Sequence, residues 1–455
     1  MAVGVFLCLK IHRVLNHSFN TIMKKTPLKP SFYHFFVYWL KLGFISFGGP
    51  AGQISMMHQE LVEKRRWISE HRFLHALNFT MVLPGPEAQQ LATYIGWLMF
   101  GVRGGIVAGV LFVLPSLFIL SALTWVYLTY GSVNEVEGVL YGIKPAVTAI
   151  VLFAAYRIGS KALSNSVLKV LAVLAFIAIF MFEVPFPYIV VMAATIGYLG
   201  VRLSPNTFVM GVHHGDGVDG YGPALIDDNT PIPDHVKFKW SRLVGFAVVG
   251  IVLGVAIMSI LDNKTLQDMG EFFTKAALVT FGGAYAVLPY IYQGGVDQYQ
   301  WLTATQMMDG LALGETTPGP LIMVVAFVGF VGATVKEVFG PDAMFLSGFV
   351  GASVATFFTF LPSFLFIFLG GPGVEATRGD LKFSAPLSAV TAAVVGVIVN
   401  LATFFALATL YQDQQVDWIA VAITVVAFVA LFRFKIGIMT VIAASAAIGL
   451  GLSVF

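Results

Sequence analysis

Lys41–Pro50 reads KLGFISFGGP, and 234 positions later Lys275–Ala284 reads KAALVTFGGA. The same offset carries Phe47, Gly48, Gly49, Gln59, Val62, Trp67, Leu77, Pro84, Gly85 and Pro86 onto Phe281, Gly282, Gly283, Gln293, Val296, Trp301, Leu311, Pro318, Gly319 and Pro320 without a gap. Matches at one fixed spacing mark an internal duplication, which fixes architecture before any single motif is read. In each copy a lysine precedes the first glycine by seven residues, about two helical turns, so both lie on one helix face.

Composition says where such a duplication resides. The chain is 58% hydrophobic and 11% charged, with a mean hydropathy of +0.84, against roughly 45–50% and 25% for soluble domains. This is an all-α polytopic membrane protein. The net charge of +2 belongs to loops, and no basic run interleaved with aromatics marks a nucleic-acid partner. One cysteine, Cys8, excludes an internal disulfide and a thiolate metal cluster. The histidines lack metal-ligand spacing, and His213 and His214 beside Asp216 and Asp219 read as a solvated loop, so neither a metal nor another cofactor is expected.

Residues 1–30 are basic, and their one apolar run, Val3–Leu9, is too short to span; they read as a cytoplasmic tail, with Met23 as an alternative start. The first repeat, 31–203, offers spans at 32–47, 76–100, 105–130, 139–156, 167–182 and 185–201. A polar linker, 204–240, follows. The second repeat, 241–455, offers one additional helix within 241–262 and then 272–290, 305–332, 343–369, 384–410, 418–432 and 436–454. Thirteen spans place equivalent helices seven crossings apart, and an odd shift inverts the second copy, as in many secondary transporters. If the segment at 76–100 is re-entrant in both copies, the shift becomes even and the repeats parallel.

Basic residues test the orientation. With the N-terminus cytoplasmic, Arg103, Arg157, Lys161, Lys169, Arg202, Lys237, Lys239, Arg242, Arg378, Lys382, Arg433 and Lys435 fall inside, and Lys264 and Lys336 outside. Lys64, Arg65, Arg66 and Arg72 break the rule. Glu60, Glu63 and Glu70 interleave with them, so 59–74 reads as an amphipathic interfacial helix or as a sign that the first helix does not cross.

Lys41 lies inside an aromatic run, where a charge costs at least about 2.5–3.5 kcal/mol by insertion scales, so it reads as an anion-attracting ammonium facing the bundle. A snorkelling lysine is the plainer reading, and Lys275, one turn from Glu271, can simply pair. Gly48–Gly49 and Gly282–Gly283, with Ser46 and Thr280 just before them, offer backbone N–H groups for an anion nest, against a reading as plain caps. Pro84–Gly85–Pro86 and Pro318–Gly319–Pro320 break long apolar segments into half-helices whose positive ends suit an oxyanion. A structural kink is the alternative. Glu87 and Glu315 flank the breaks as proton carriers, although a carboxylate in a first turn, like Glu87, is favourable without function. Gln89, Gln90, Thr316 and Thr317 add neutral donors, and Asn78, Asn400 and Arg157 are further polar candidates.

The runs SFGGPAGQ (Ser46–Gln53), RRW (Arg65–Trp67), LPGPEAQQLA (Leu83–Ala92) and FVLPS (Phe112–Ser116), with TFGGA, TPGP and FLPS in the second half, resemble the chromate ion transporter (CHR) family from about Lys29 onward. The resemblance adds Pro50 and Gln53 to the binding residues. It implies an exporter of chromate, coupled to the proton-motive force and competed by sulfate, in the inner cell membrane. Ala284 where the first copy has Pro50 departs from the pattern and makes the halves unequal.

The expected protein is therefore a proton-coupled secondary exporter of an inorganic oxyanion. A passive anion channel and a sulfate transporter are the alternatives. Paired acids with a metal, or a nucleophile with its base, are absent from the motifs, so no enzyme is expected. Membrane lipid and a second copy in a homodimer complete the partner expectations.

Overall fold

The computed structural model describes residues 27–47, 49–131, 133–203, 221–227, 230–231, 233–281, 283–377, 384–412 and 415–454. The Ser31 hydroxyl accepts from the His34 N–H and opens α1 (Phe32–Ile45). Past the FGG break, α2 (Gly49–His58) starts at a glycine with φ +68° and unwinds into a π turn at Gln59–Lys64. The far ends meet again: the Tyr38 ring centre is 5.3 Å from Trp67, and the Arg65 guanidinium lies 5.1 Å from the Tyr38 ring. α1 and α2 are thus the arms of a hairpin.

A second hairpin follows. Ser69 caps α3 (Glu70–Val82), the P-G-P turn reverses the chain, and α4 (Glu87–Tyr130) returns, with Phe79 and Tyr94 rings 5.6 Å apart across the arms. α4 is itself broken at Phe100 and Gly101, where φ reaches +65°. Its two parts fold onto each other so closely that a Cβ on Gly96 would stand 2.4 Å from the Gly104 carbonyl oxygen. Residues 102–130 then form a long helix, followed by α5 (Asn134–Ala162), α6 (Ser166–Phe182), α7 (Phe186–Leu203) and the largely exposed α8 (Trp240–Ile260).

The second repeat reproduces these details. α9 (Lys264–Val279) and α10 (Ala284–Tyr292), with a π turn at Gln293–Gln298, form a hairpin closed by Phe272 and Trp301, 5.5 Å apart. α11 (Ala304–Thr316), capped by Thr303, meets the second P-G-P and returns through a 3₁₀ turn at Leu321–Met323 into α12 (Val324–Val335). α12 folds onto α13 (Met344–Thr377), where a Cβ on Gly329 would stand 2.4 Å from the Gly351 carbonyl oxygen. Then come α14 (Ser384–Leu410), a two-residue strand pair at Tyr411–Gln412 and Gln415–Val416, α15 (Trp418–Phe432) and α16 (Ile438–Val454). Left-handed residues recur at the same offset: Gly49 and Gly283, Arg66 and Gln300, Gly85 and Gly319. For Arg66 and Gln300 the left-handed conformation costs about 1–3 kcal/mol, a cost both copies retain.

Among the described residues α4, α5, α8, α13 and α14 are long and apolar enough to cross a membrane, and α6, α7, α12, α15 and α16 are shorter apolar helices. α14 of the second repeat packs on α5, α6 and α7 of the first, so the halves interleave.

Two expectations change. The segment 272–290 is not one helix, because the chain breaks between Val279 and Ala284. Residues 59–74 are not one amphipathic helix; a π turn ends at Lys64, Arg66 takes φ +55°, and α3 starts anew at Glu70. Within the linker's described part, Ile226 pairs with Ile68, and His235 Nε2 donates to the Trp97 carbonyl at 3.0 Å.

Candidate functional site

The tips of the hairpins meet in the centre of the molecule. The Gly85 N–H donates to the Thr280 carbonyl at 2.8 Å, and the Gly319 N–H donates to the Ser46 carbonyl at 2.9 Å. These are one contact with the repeats exchanged: each P-G-P turn holds the end of the other repeat's first helix. Pro84, Pro86, Pro318 and Pro320 bring no N–H of their own, so the glycine between them supplies the turn's donor. Gly85 at φ +121° and Gly319 at φ +104° take a conformation that residues with a Cβ rarely adopt.

Serines press on both turns. A Cβ on Gly85 would stand 2.5 Å from Ser363 Oγ, and one on Gly319 would stand 2.7 Å from Ser116 Cβ. The same exchange of repeats relates these contacts. Gln53 Nε2 donates to the Gly319 carbonyl at 2.6 Å and to the Ser46 carbonyl at 3.1 Å, and Gln90 Nε2 donates to the Pro84 carbonyl at 2.8 Å. Gln89 Nε2 reaches Thr93 Oγ1 at 3.0 Å.

The centre also holds polar atoms without partners. Ser46, Gln53, Gln89, Gln90, Ser116 and Ser363 are fully buried, and the Oγ of each serine and the Oε1 of each glutamine lack a hydrogen bond within the described protein. Buried polar groups are otherwise almost always paired, and six orphans around one crossing are costly unless a ligand or water meets them. The serine hydroxyls can turn an O–H toward an oxyanion, whereas the orphaned Oε1 atoms of Gln53, Gln89 and Gln90 are acceptors whose partner NH₂ groups already donate within the protein.

A cavity of about 730 Å³ runs to the edge of this centre, lined by Phe47, Tyr156, Arg157, Glu315, Phe432 and Lys435 among others. Arg157 lies within electrostatic reach of Glu315, whose carboxylate accepts from the Tyr285 hydroxyl. The charged residues lining this vestibule are two cations, Arg157 and Lys435, and one carboxylate, Glu315. Gly49 and Gly283 begin α2 and α10 with positive φ and open space where a Cβ would be, so conformation rather than packing selects glycine there.

The sequence profile of the chromate transporter family matches residues 33–198 and again 267–450, once for each repeat. The chain belongs to the chromate transporter family. It is 29% identical over 418 residues to a chromate transport protein of Cupriavidus metallidurans, covering 91% of both chains. It is 31% identical over 428 residues to a chromate transport protein of Pseudomonas aeruginosa, 93% of both, and 31% identical over 361 residues to a probable chromate transport protein of Synechococcus elongatus, 79% of this chain and 81% of that one. No solved structure matches.

Within this family member, Ser46, Gln53, Gly85, Gln89, Gln90, Thr280, Thr317 and Gly319 share the buried centre, and Pro50, Pro84, Pro86, Gly49, Gly283, Pro318 and Pro320 shape its turns. The Thr280 and Thr317 hydroxyls donate to their own helix carbonyls and are already occupied. Glu87 starts α4 beside the first turn. Gly48 and Gly282 lie outside the described residues, as do His213 and His214. Lys41 and Lys275 are exposed and line neither the centre nor the cavity; Lys275 pairs with Glu271 at 2.5 Å. Ser116, Ser363 and Lys435 escaped sequence reading as site residues. The two serines recur as VLPS and FLPS, but 247 positions apart rather than 234, so the ungapped offset misses their equivalence.

Proposed function

We propose that the protein exports a tetrahedral oxyanion, chromate before sulfate, by rocking two inverted repeats around the crossed hairpin tips. The observation that carries this reading is the reciprocal pair Gly85–Thr280 and Gly319–Ser46, surrounded by unpaired buried hydroxyls and amides. Broken helices at equivalent places in two halves are where secondary transporters hold their substrates. The relatives' names supply chromate as the substrate.

The hairpins support a specific topology. With α1–α2, α3 and the first part of α4, α9–α10 and α11–α12 all re-entrant, nine full crossings remain: the long part of α4, α5, α6, α7, α8, α13, α14, α15 and α16. Five crossings separate equivalent elements, an odd number, and the repeats invert. One re-entrant segment per copy makes the shift even; a second restores the odd parity. Lys64, Arg65, Arg66 and Arg72 then join Arg103, Arg157, Lys161, Lys169, Lys237, Lys239, Arg242, Arg433 and Lys435 on the cytoplasmic side, leaving Lys264 and Lys336 outside. The positive-inside bias loses its exception.

In this arrangement the vestibule opens to the cytoplasm, between the ends of α5 and α15. Arg157 and Lys435 draw the dianion in, and the centre replaces part of its hydration with the hydroxyl donors of Ser46, Ser116 and Ser363. Glu315, among the cavity's lining residues, repels the anion when ionised, so a proton on it, or on Glu87, eases the anion's passage and makes the flux depend on pH. Purified protein in liposomes is expected to carry radiolabelled chromate with saturation, driven by a pH gradient and competed by sulfate. Non-saturating flux that ignores the pH gradient selects the channel reading instead.

A further inference from the structure

We propose that Asp309 is a second proton site, one that links protonation to the packing of one repeat against the other on the extracytoplasmic side; the sidedness rests on the topology and function proposed above. Asp309 stands on α11, nine residues ahead of Pro318 and so about 13 Å from the crossing along the helix. It is 2% exposed. Tyr127, on α4, donates its hydroxyl to Oδ2 at 2.9 Å. Oδ1 accepts no hydrogen bond from the described residues, and Lys144 Nζ of α5 stands 3.8 Å away, within Coulomb reach but beyond a hydrogen bond.

Among the described residues, Lys144 is the one cation within ion-pair distance of Asp309. α12, α14 and α16, which also pack against α11, contain no Asp, Glu, Lys, Arg, His or Tyr, and Glu315 lies six residues further along α11. Among the described residues Lys144 therefore balances the carboxylate, and its side chain, 22% exposed, has a route back to water. A proton arriving at Oδ1 forms an O–H bond, takes the group from −1 to neutral, and dissolves the ion pair between the second repeat's α11 and the first repeat's α5. The proton's later departure restores the carboxylate and the pair. No bond in the transported anion changes.

The equivalent helix of the first repeat is held differently. Arg72 on α3 donates to Glu375 Oε2 on α13 at 2.6 Å, and the Tyr94 hydroxyl donates to Oε1 at 2.5 Å. Both carboxylate oxygens are bonded there and the cation is an arginine, which keeps its charge at every working pH. The Asp309 clasp has one oxygen free and a lysine at arm's length. That asymmetry puts the proton-sensitive joint at the outer side, where an exporter exchanging anion for proton must take its proton up.

The test uses purified full-length protein in proteoliposomes and reads chromate exchange at equal pH alongside net chromate flux under an imposed pH gradient. Asp309→Asn is expected to keep wild-type exchange and lose the gradient's stimulation. Tyr127→Phe is expected to keep both and shift the pH of half-maximal stimulation. Full stimulation in Asp309→Asn, or loss of exchange in a folded Asp309→Asn protein, overturns the proposal. If the wild type carries no chromate, the functional reading has failed, and an infrared titration of carboxyl bands still decides Asp309. A titrating band missing from Asp309→Asn supports the site, and identical titrations in both proteins refute it.

Discussion

The amide of Gly85 donates to the carbonyl of Thr280 at 2.8 Å, across 195 positions of sequence and between two repeats. Its counterpart from Gly319 to Ser46 makes the relation reciprocal. A contact that survives exchange of the halves belongs to the approximate two-fold relation between them. Each repeat thus supplies one tip that donates and one that accepts.

The turns tolerate no side chain. Gly85→Ala forces a Cβ into a φ of +121° and to within 2.5 Å of Ser363 Oγ, and Gly319→Ala meets the same two penalties. Strain and overpacking together are expected to cost about 2–5 kcal/mol. Thermal unfolding in detergent should fall for both variants, and chromate flux with it. Gly245→Ala, where a Cβ meets nothing within 4 Å on a helix, should leave unfolding unchanged or raise it slightly.

Cations at the vestibule should govern affinity rather than turnover. Arg157→Gln and Lys435→Gln are expected to raise KM for chromate and flatten its salt dependence with maximal rate retained. Lys41→Gln and Lys275→Gln should leave KM unchanged, since neither lysine lines the cavity. Initial rates across a chromate series check all four.

The Arg72–Glu375 pair is 5% and 2% exposed, and removing one partner strands a buried charge. Arg72→Met or Glu375→Leu alone is expected to destabilise by about 3–5 kcal/mol, and the double variant to recover most of the loss. Unfolding free energies of the wild type and the three variants give the coupling.

Much of this was legible in the residues. The fixed offset predicted the repeat, and it reproduces the left-handed residues, the π turns and the P-G-P breaks. Span ends at Ser384–Leu410 and Trp418–Phe432 match the helices residue for residue. The hairpins were hidden because hydropathy sees apolar length and not direction: α1, with 14 residues, looks like a short span until Tyr38 and Trp67 are found together. The basic cluster at Lys64–Arg72 was the clue, a charge anomaly that the proposed re-entrance removes. Lys41 stood out in sequence because charge is costly in an apolar run, but helix phase puts it on the exposed face of α1 while Ser46, a quieter residue, is buried at the tip.

Glu63 and Asp297 test the arrangement most directly, because they are equivalent residues, both exposed, in the π turns at the bases of the two first hairpins. With the single cysteine Cys8 replaced by alanine, Glu63→Cys and Asp297→Cys can be probed in intact cells with an impermeant thiol reagent. Inverted re-entrant repeats predict that Asp297→Cys is labelled from outside and that Glu63→Cys is labelled only after the membrane is opened. Labelling of both positions from the same side would contradict the account.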